Sequence, residues 1–350
     1  MNEAKLQEEV PQLLRSALPQ ARIQLRRRPH RPTNGGLSGP DLIAEFTVGG
    51  KTKRLLIEVK VPGYPSSLLQ VFQTLQLAAK HQRGYPVVVT DALSERGAQL
   101  AKEAGVGFLD LAGNCWLNLG NIYIDKTAHV RRSRPPTELR RLFSPKATRV
   151  IRTMLETPSK PWEIVKLAAV SQVSIGHAYK VTQKLLQQGF LVQEQRRVHL
   201  REPGTLLDTW AQQYRIDPAT MQSFYTTEAK DPAAVIAHMV QVAKDRNLIC
   251  AFTLHAGASL IAPFTRFTDV HVYLKESLSD NLLKALKLER IEFGGTVHVL
   301  QPYEEGVLHH LQRLNDTPVV CKTQLYLDLF QHPTRGREAA DFLRREHMKI

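Results

Sequence analysis

Within residues 40–60, two acids and an amine are spaced so that one cavity could receive all three. Asp41 follows Pro40 and opens Asp41-Leu42-Ile43-Ala44-Glu45-Phe46, whose alternation predicts a half-buried strand. Leu55-Leu56-Ile57-Glu58-Val59-Lys60 is a second apolar run ending on an acid and a base two residues apart. Side chains at i and i+2 of a strand share a face, so Glu58 and Lys60 point the same way. Gly49-Gly50 between the runs predicts a turn, which would pair the strands as a hairpin and bring Asp41 alongside Glu58. Two carboxylates and an ammonium on one face make a divalent-metal site beside a charge that can steer a water or a phosphate. Hard oxygen ligands suit Mg2+, or Mn2+ in its place, with substrate phosphate oxygens completing the shell.

These residues resemble the PD-(D/E)XK nuclease superfamily, whose signature falls on Pro40, Asp41, Glu58 and Lys60. The resemblance implies that Asp41 and Glu58 hold the metal and that Lys60 assists the attacking water. It also implies a restriction-endonuclease-like α/β domain over residues 1–130. The flanking pattern predicts a helix over 3–18, a strand over 21–27, a helix over 66–82 and a strand over 85–90. Short strands within 107–111, 115–118 and 122–124 would complete the sheet. Family members often add a glutamate from the first helix, for which Glu8 or Glu9 is the candidate. Gln70, Gln73 and Gln76 on the second helix could face the site, whereas Asp110 and Asn114 beside Gly113 more readily shape a turn.

Charge points to a polyanionic partner. The 350 residues carry a formal net charge of +14, unevenly distributed. Residues 1–143 hold 21 Lys/Arg against 12 Asp/Glu, residues 144–203 hold 10 against 4, and residues 204–350 hold 16 against 17. All the excess lies in the first 203 residues, the footprint expected of a phosphate-binding surface. Arg26, Arg27 and Arg28 stand just before the acid pair. Arg131, Arg132 and Arg134 fall in a Pro-containing basic stretch, 131–143, that has the composition of a linker.

Residues 144–203 carry the pattern of a winged helix-turn-helix. Helices are expected from Ser144, over Trp162 to Val170 and over about Ser174 to Gln188, followed by two strands joined at Arg196-Arg197. In the third helix Ala178, Val181, Leu185 and Ile175 would form the core face. Ser174, His177, Lys180 and Lys184 recur on the other side and could enter a major groove, while Arg196 and Arg197 would hold phosphates from the wing. The bland alternative is a helical protein-binding module with a solvated basic face.

Residues 204–350 predict a mixed α/β domain. His255-Ala256-Gly257-Ala258-Ser259 followed by Asp269-Val270-His271 is loosely similar to nucleotidyltransferases, in degenerate form, since His271 stands where a second acid is expected. Leu109-Asp110-Leu111-Ala112-Gly113-Asn114, Thr323 to Leu329 and Arg335 to Leu343 resemble AbiEi-type proteins. Those are transcriptional regulators or antitoxins of type IV toxin–antitoxin systems, in which a winged helix is coupled to an α/β carboxy-terminal domain. Better-known members place the winged helix first; here it follows the nuclease-like domain.

The three cysteines, Cys115, Cys250 and Cys321, have neither disulfide-framework nor metal-site spacing, which suits a reducing cytoplasm. Met1 to Lys5 lacks an apolar signal core, and the longest apolar stretch, Leu248 to Phe264, is interrupted and short for a bilayer. The expectation is a cytoplasmic multi-domain α/β protein that binds double-stranded DNA and no membrane. A protein partner would bind through residues 204–350, and a homodimer is compatible. Its activity would be Mg-dependent DNA cleavage; the alternative is an AbiEi-like regulator or antitoxin that uses the nuclease fold without catalysis.

Overall fold

In the computed structural model the described residues are 2–27, 39–48, 50–120, 122–127, 142–226, 231–291 and 294–350. They form a mixed α/β structure in two compact units. One comprises residues 1–137 with 184–189, the other residues 138–183 and 190–350.

The first unit is built on α1 (Glu3–Ala17), β1 (Arg22–Arg27), β2 (Leu42–Val48), β3 (Lys51–Lys60), α2 (Pro65–Gln82), β4 (Tyr85–Thr90), α3 (Glu95–Glu103), β5 (Gly107–Asp110), β6 (Cys115–Asn118) and β7 (Tyr123–Lys126). The seven strands lie in sequence order in one sheet. β1–β2 and β2–β3 are antiparallel, β3–β4 and β4–β5 parallel, and β5–β6 and β6–β7 antiparallel. Leu55, Leu56 and Ile57 of β3 and Pro86 to Thr90 of β4 are buried on both faces, as parallel strands between helical layers must be. Leu55, Ile57, Val87 and Val89 pack with Leu6, Val10 and Leu14 of α1. Leu56, Val88 and Phe108 pack on the opposite face with Leu68, Phe72 and Leu75 of α2 and Ala101 of α3. The hairpin expected at Gly49-Gly50 is present: Val48 pairs with Lys51, and Gly50 takes φ +75°, a conformation that costs glycine little.

The second unit begins with α4 (Pro145–Glu156), β8 (Trp162–Glu163), α5 (Ile164–Val170), α6 (Ile175–Gln187, whose residues from Lys184 onward belong to the first unit), β9 (Leu191–Glu194) and β10 (Arg197–Leu200). The strands form a small antiparallel sheet in the order β8-β10-β9. Trp162 and Glu163, expected to open a helix, instead form β8: Trp162 is opposite Val198 and Glu163 opposite Arg197. The indole is buried, so pairing there satisfies the backbone while covering a large apolar group.

The remainder contains α7 (Pro203–Gln213), β11 (Met221–Thr226), α8 (Pro232–Asp245), β12 (Cys250–Thr253), α9 (Leu254–Ile261), β13 (Val270–Leu274), α10 (Asp280–Leu286), β14 (Leu288–Arg290), β15 (Val297–Leu300), β16 (Gln312–Leu314), β17 (Thr317–Val319), α11 (Lys322–Gln331) and α12 (Gly336–Leu343). The seven strands form a mixed sheet in the order β14-β11-β15-β13-β12-β17-β16. Phe252, Val272 and Val299 pack against Val235, Ile236 and Met239 of α8 and Leu282, Leu283 and Leu286 of α10. On the other face Tyr273 meets Asp328 of α11. Among the described residues no helix is long and apolar enough to cross a membrane.

Candidate functional site

Strand register sets the first candidate site. Leu42 pairs with Ile57, so Asp41, one residue earlier, stands opposite Glu58 on the same face. Lys60 lies two residues beyond Glu58 and therefore shares that face. The Asp41 carboxylate accepts a 2.9 Å hydrogen bond from the Val59 amide, which fixes its direction. Burial, and then the neighbouring Asp41 carboxylate, push Glu58 up to about 7; a backbone hydrogen bond from Asp41 and the Lys60 charge pull the other way. A carboxyl raised by burial and by a second carboxylate beside it is the state expected of acids placed to share a cation.

Lys60 Nζ is 2.9 Å from Glu3 Oε1, and the Val61 amide donates to the same oxygen. The helix-borne acid beside the site is thus Glu3 in the first turn of α1, and Glu8 and Glu9 are not the residues that reach Lys60. Gln76 also departs from expectation, because its amide donates to the Ala104 carbonyl at the end of α3. Asp110 is buried and shapes a turn. It accepts from the Asn114 amide and side chain at 2.9 and 2.8 Å and from the Leu93 amide at 3.1 Å.

Arg26 pairs with Ile43 on the face that carries Asp41, and its side chain is exposed. Arg27 contributes backbone pairing with Leu42. Arg28, Arg131, Arg132 and Arg134 lie outside the described residues. Asp41 and Glu58 supply the oxygen chemistry a Mg2+ or Mn2+ ion needs, although among the described residues no group of three or more His, Cys, Asp or Glu is arranged around one point.

The second candidate surface belongs to α6 and the β9–β10 hairpin. Ser174 Oγ accepts from the His177 amide and so caps the helix start. Lys180, Lys184, Arg196 and Arg197 are exposed. Two expectations need correction. Ile175, assigned to the core, is 55 % exposed, and Tyr179, one turn later, is 52 % exposed. His177, assigned to the outer row, is half-buried with Nε2 enclosed. A cleft of ≈ 1090 Å³ runs between the hairpin and the start of α5, lined by Arg196, Arg197, Glu163 and Val165 among others. Arg197 is held loosely there, 3.7 Å from Glu163.

The same unit contains a polar junction that sequence reasoning missed. Arg149 and Arg152 of α4 add to the cationic excess of residues 144–203, yet both point inward. Arg149 Nε is 2.7 Å from Glu304 Oε2, and Arg152 Nη1 is 3.5 Å from Glu304 Oε1. Arg152 also donates to Gln324 Oε1 at 2.6 Å, and its guanidinium lies over the Trp210 ring at 5.3 Å. Gln324 donates to Asp328, a fully buried acid that also accepts from Tyr214, Tyr273 and Thr253. Burial raises Asp328 to about 6 against the pull of those four donors. Its only sequence signal was an acid inside an apolar run, Leu325-Tyr326-Leu327-Asp328-Leu329.

The nucleotidyltransferase-like run leads elsewhere. His271 stacks on His298 with ring centroids 4.4 Å apart and meets His332 edge-on at 5.7 Å. Burial, then these two neighbours, push His271 down to about 3, so it is a neutral packing group rather than a stand-in for a metal-binding acid.

Residues 199–349 match the family model described as "Transcriptional regulator, AbiEi antitoxin, Type IV TA system". The match includes the runs at 323–329 and 335–343 and leaves out the run at 109–114. No curated protein matches the chain. No solved structure matches it either. These findings favour the regulator reading over DNA cleavage, for which they provide no support.

Proposed function

We propose that the chain is a DNA-binding transcriptional regulator of the AbiEi antitoxin type, in which residues 144–203 form a winged helix that grips duplex DNA. The family match over residues 199–349 carries this reading. The surface adds a physical reason: Lys180 and Lys184 on α6 and Arg196 and Arg197 on the hairpin are exposed cations on the two elements a winged helix offers to a duplex. The carboxy-terminal α/β module would serve a protein partner or a second copy. Fluorescence anisotropy with a labelled duplex tests the reading. Lys180→Ala combined with Arg197→Ala should weaken binding and reduce the dependence of log affinity on log salt by about one for each phosphate left without its cation. Unchanged binding would overturn the winged-helix assignment and favour a protein-binding adaptor.

A second reading is favoured by one observation, the shared face of Asp41 and Glu58 with its raised carboxyl pKa. Under it, Asp41 and Glu58 would hold a divalent ion and Lys60, positioned by Glu3, would direct a phosphate or water. The ion itself would supply Lewis acidity. Plasmid DNA incubated with Mg2+ distinguishes the two readings. Nicking abolished by Glu58→Ala and by Lys60→Ala establishes an endonuclease; intact plasmid leaves a basic platform without catalysis. Nicking that survives both substitutions comes from another source.

A further inference from the structure

The exposed face of α6 carries more than charge. At 3.6 residues per turn, Ile175, Tyr179 and Gln183 form one row along the helix, and Gly176, Lys180 and Lys184 form the adjacent row. Ile175 and Tyr179 are among the most exposed large apolar side chains of the described residues, at 55 % and 52 %. Gln183 follows them, half-buried, and Gly176 has open space where a side chain would be. Two large hydrophobes in water one turn apart lose the benefit of burial unless something covers them. The cations beside them select a polyanion as the cover.

We propose that this row reads adenine–thymine pairs in the major groove, with Ile175 and Tyr179 packing against thymine C5-methyl groups and Gln183 donating to and accepting from an adenine edge. The proposal rests on the winged-helix reading above and names its ligand class: duplex DNA with adjacent A·T steps. The chemistry of the grooves supports it. Only thymine presents an apolar group in the major groove, and glutamine matches the N6/N7 pair of adenine, whereas the guanine edge, with two acceptors, calls for arginine or lysine. Here the lysines occupy the neighbouring row, where phosphates are the nearer partners. Gly176 in the first turn would let the helix backbone approach the base edges closely.

Replacing thymine by deoxyuridine tests this, because it removes the methyl and leaves pairing intact. The full chain is titrated against short alternating dA-dT, dA-dU and dG-dC duplexes at one salt concentration. Expected is roughly tenfold tighter binding of dA-dT than of dG-dC, with a several-fold loss on dA-dU. Ile175→Ala with Tyr179→Ala should erase the difference between dA-dT and dA-dU while keeping dG-dC affinity and salt dependence. Gln183→Ala should narrow the remaining gap to dG-dC. Equal binding of dA-dT and dA-dU by the unsubstituted protein overturns the proposal, as does a double variant that loses affinity equally on all three duplexes. A double variant that converts a dimer to a monomer in size-exclusion chromatography overturns it too, by assigning the row to a second copy. Absence of binding to any duplex overturns it together with the winged-helix reading. Retained salt-dependent binding without base preference overturns the readout alone.

Discussion

Replacing Glu58 by Gln should make the protein more stable at neutral and alkaline pH, even though it removes a candidate metal ligand. Folding raises the Glu58 carboxyl from 4.5 to about 7, chiefly through burial and then through Asp41. A raised acid pKa means that the folded state holds the proton more tightly than the unfolded one. The associated stability is complete below the unfolded value and is lost as pH climbs through about 7. At full strength the shift corresponds to about 3 kcal/mol, at 1.36 kcal/mol per unit. Glu58 is only partly buried, and solvent screening reduces this to about 2 kcal/mol. Glutamine keeps a side-chain oxygen that can accept the Asp41 backbone hydrogen bond and does not ionise. Calorimetric melting at a series of pH values should show the two proteins converging near pH 4.5 and the variant melting roughly 6 °C higher at about pH 8. Asp328, in the other unit and raised to about 6, makes a loss of the same sign, but it is common to both proteins and cancels in the difference. A variant no more stable at about pH 8, or a difference independent of pH, would refute the picture of a desolvated carboxylate crowded by its neighbour.

Removal of Glu304 should damage the second unit. Glu304→Ala leaves Arg149 with the exposed Glu305 and the Gln172 carbonyl and Arg152 without its carboxylate, and should cost about 3–5 kcal/mol in urea unfolding of that unit; a cost within experimental error would show that the junction is solvated. The thiols Cys115, Cys250 and Cys321 are all buried, and burial pushes Cys115 up to about 12 and Cys250 up to about 11. Alkylation followed by mass spectrometry should therefore track global unfolding, and rapid labelling of the native protein at any of the three would contradict their burial.

How much of this was legible in the sequence depended on whether the deciding neighbour was local. Asp41 opposite Glu58 followed from alternation and a glycine turn, both readable within twenty residues of chain. Glu3 beside Lys60 did not, because nothing in residues 3–17 says which end of α1 meets the end of β3. The exposed row of α6 is hidden at Ile175 because an apolar residue at the first turn of a helix looks the same whether it packs inward or waits for a ligand. Arg149 and Arg152 read as surface charge for a similar reason. Their partner Glu304 lies more than 150 residues away, and composition cannot tell a solvated cation from a buried one. The four-donor cradle of Asp328 draws on β12, β13, α11 and the end of α7, which only the finished fold assembles.

The α4 junction has a practical corollary for dissecting the protein. The matched segment begins at His199, inside β10 (Arg197–Leu200), so a fragment cut there would begin in the middle of a paired strand. It would also strip Glu304, Gln324 and Thr323 of the α4 side chains Arg149, Arg152 and Glu156 that bind them. A soluble piece for crystallisation or partner screening should therefore start ahead of Pro145 and run through the last helix, and shorter clones are expected to precipitate.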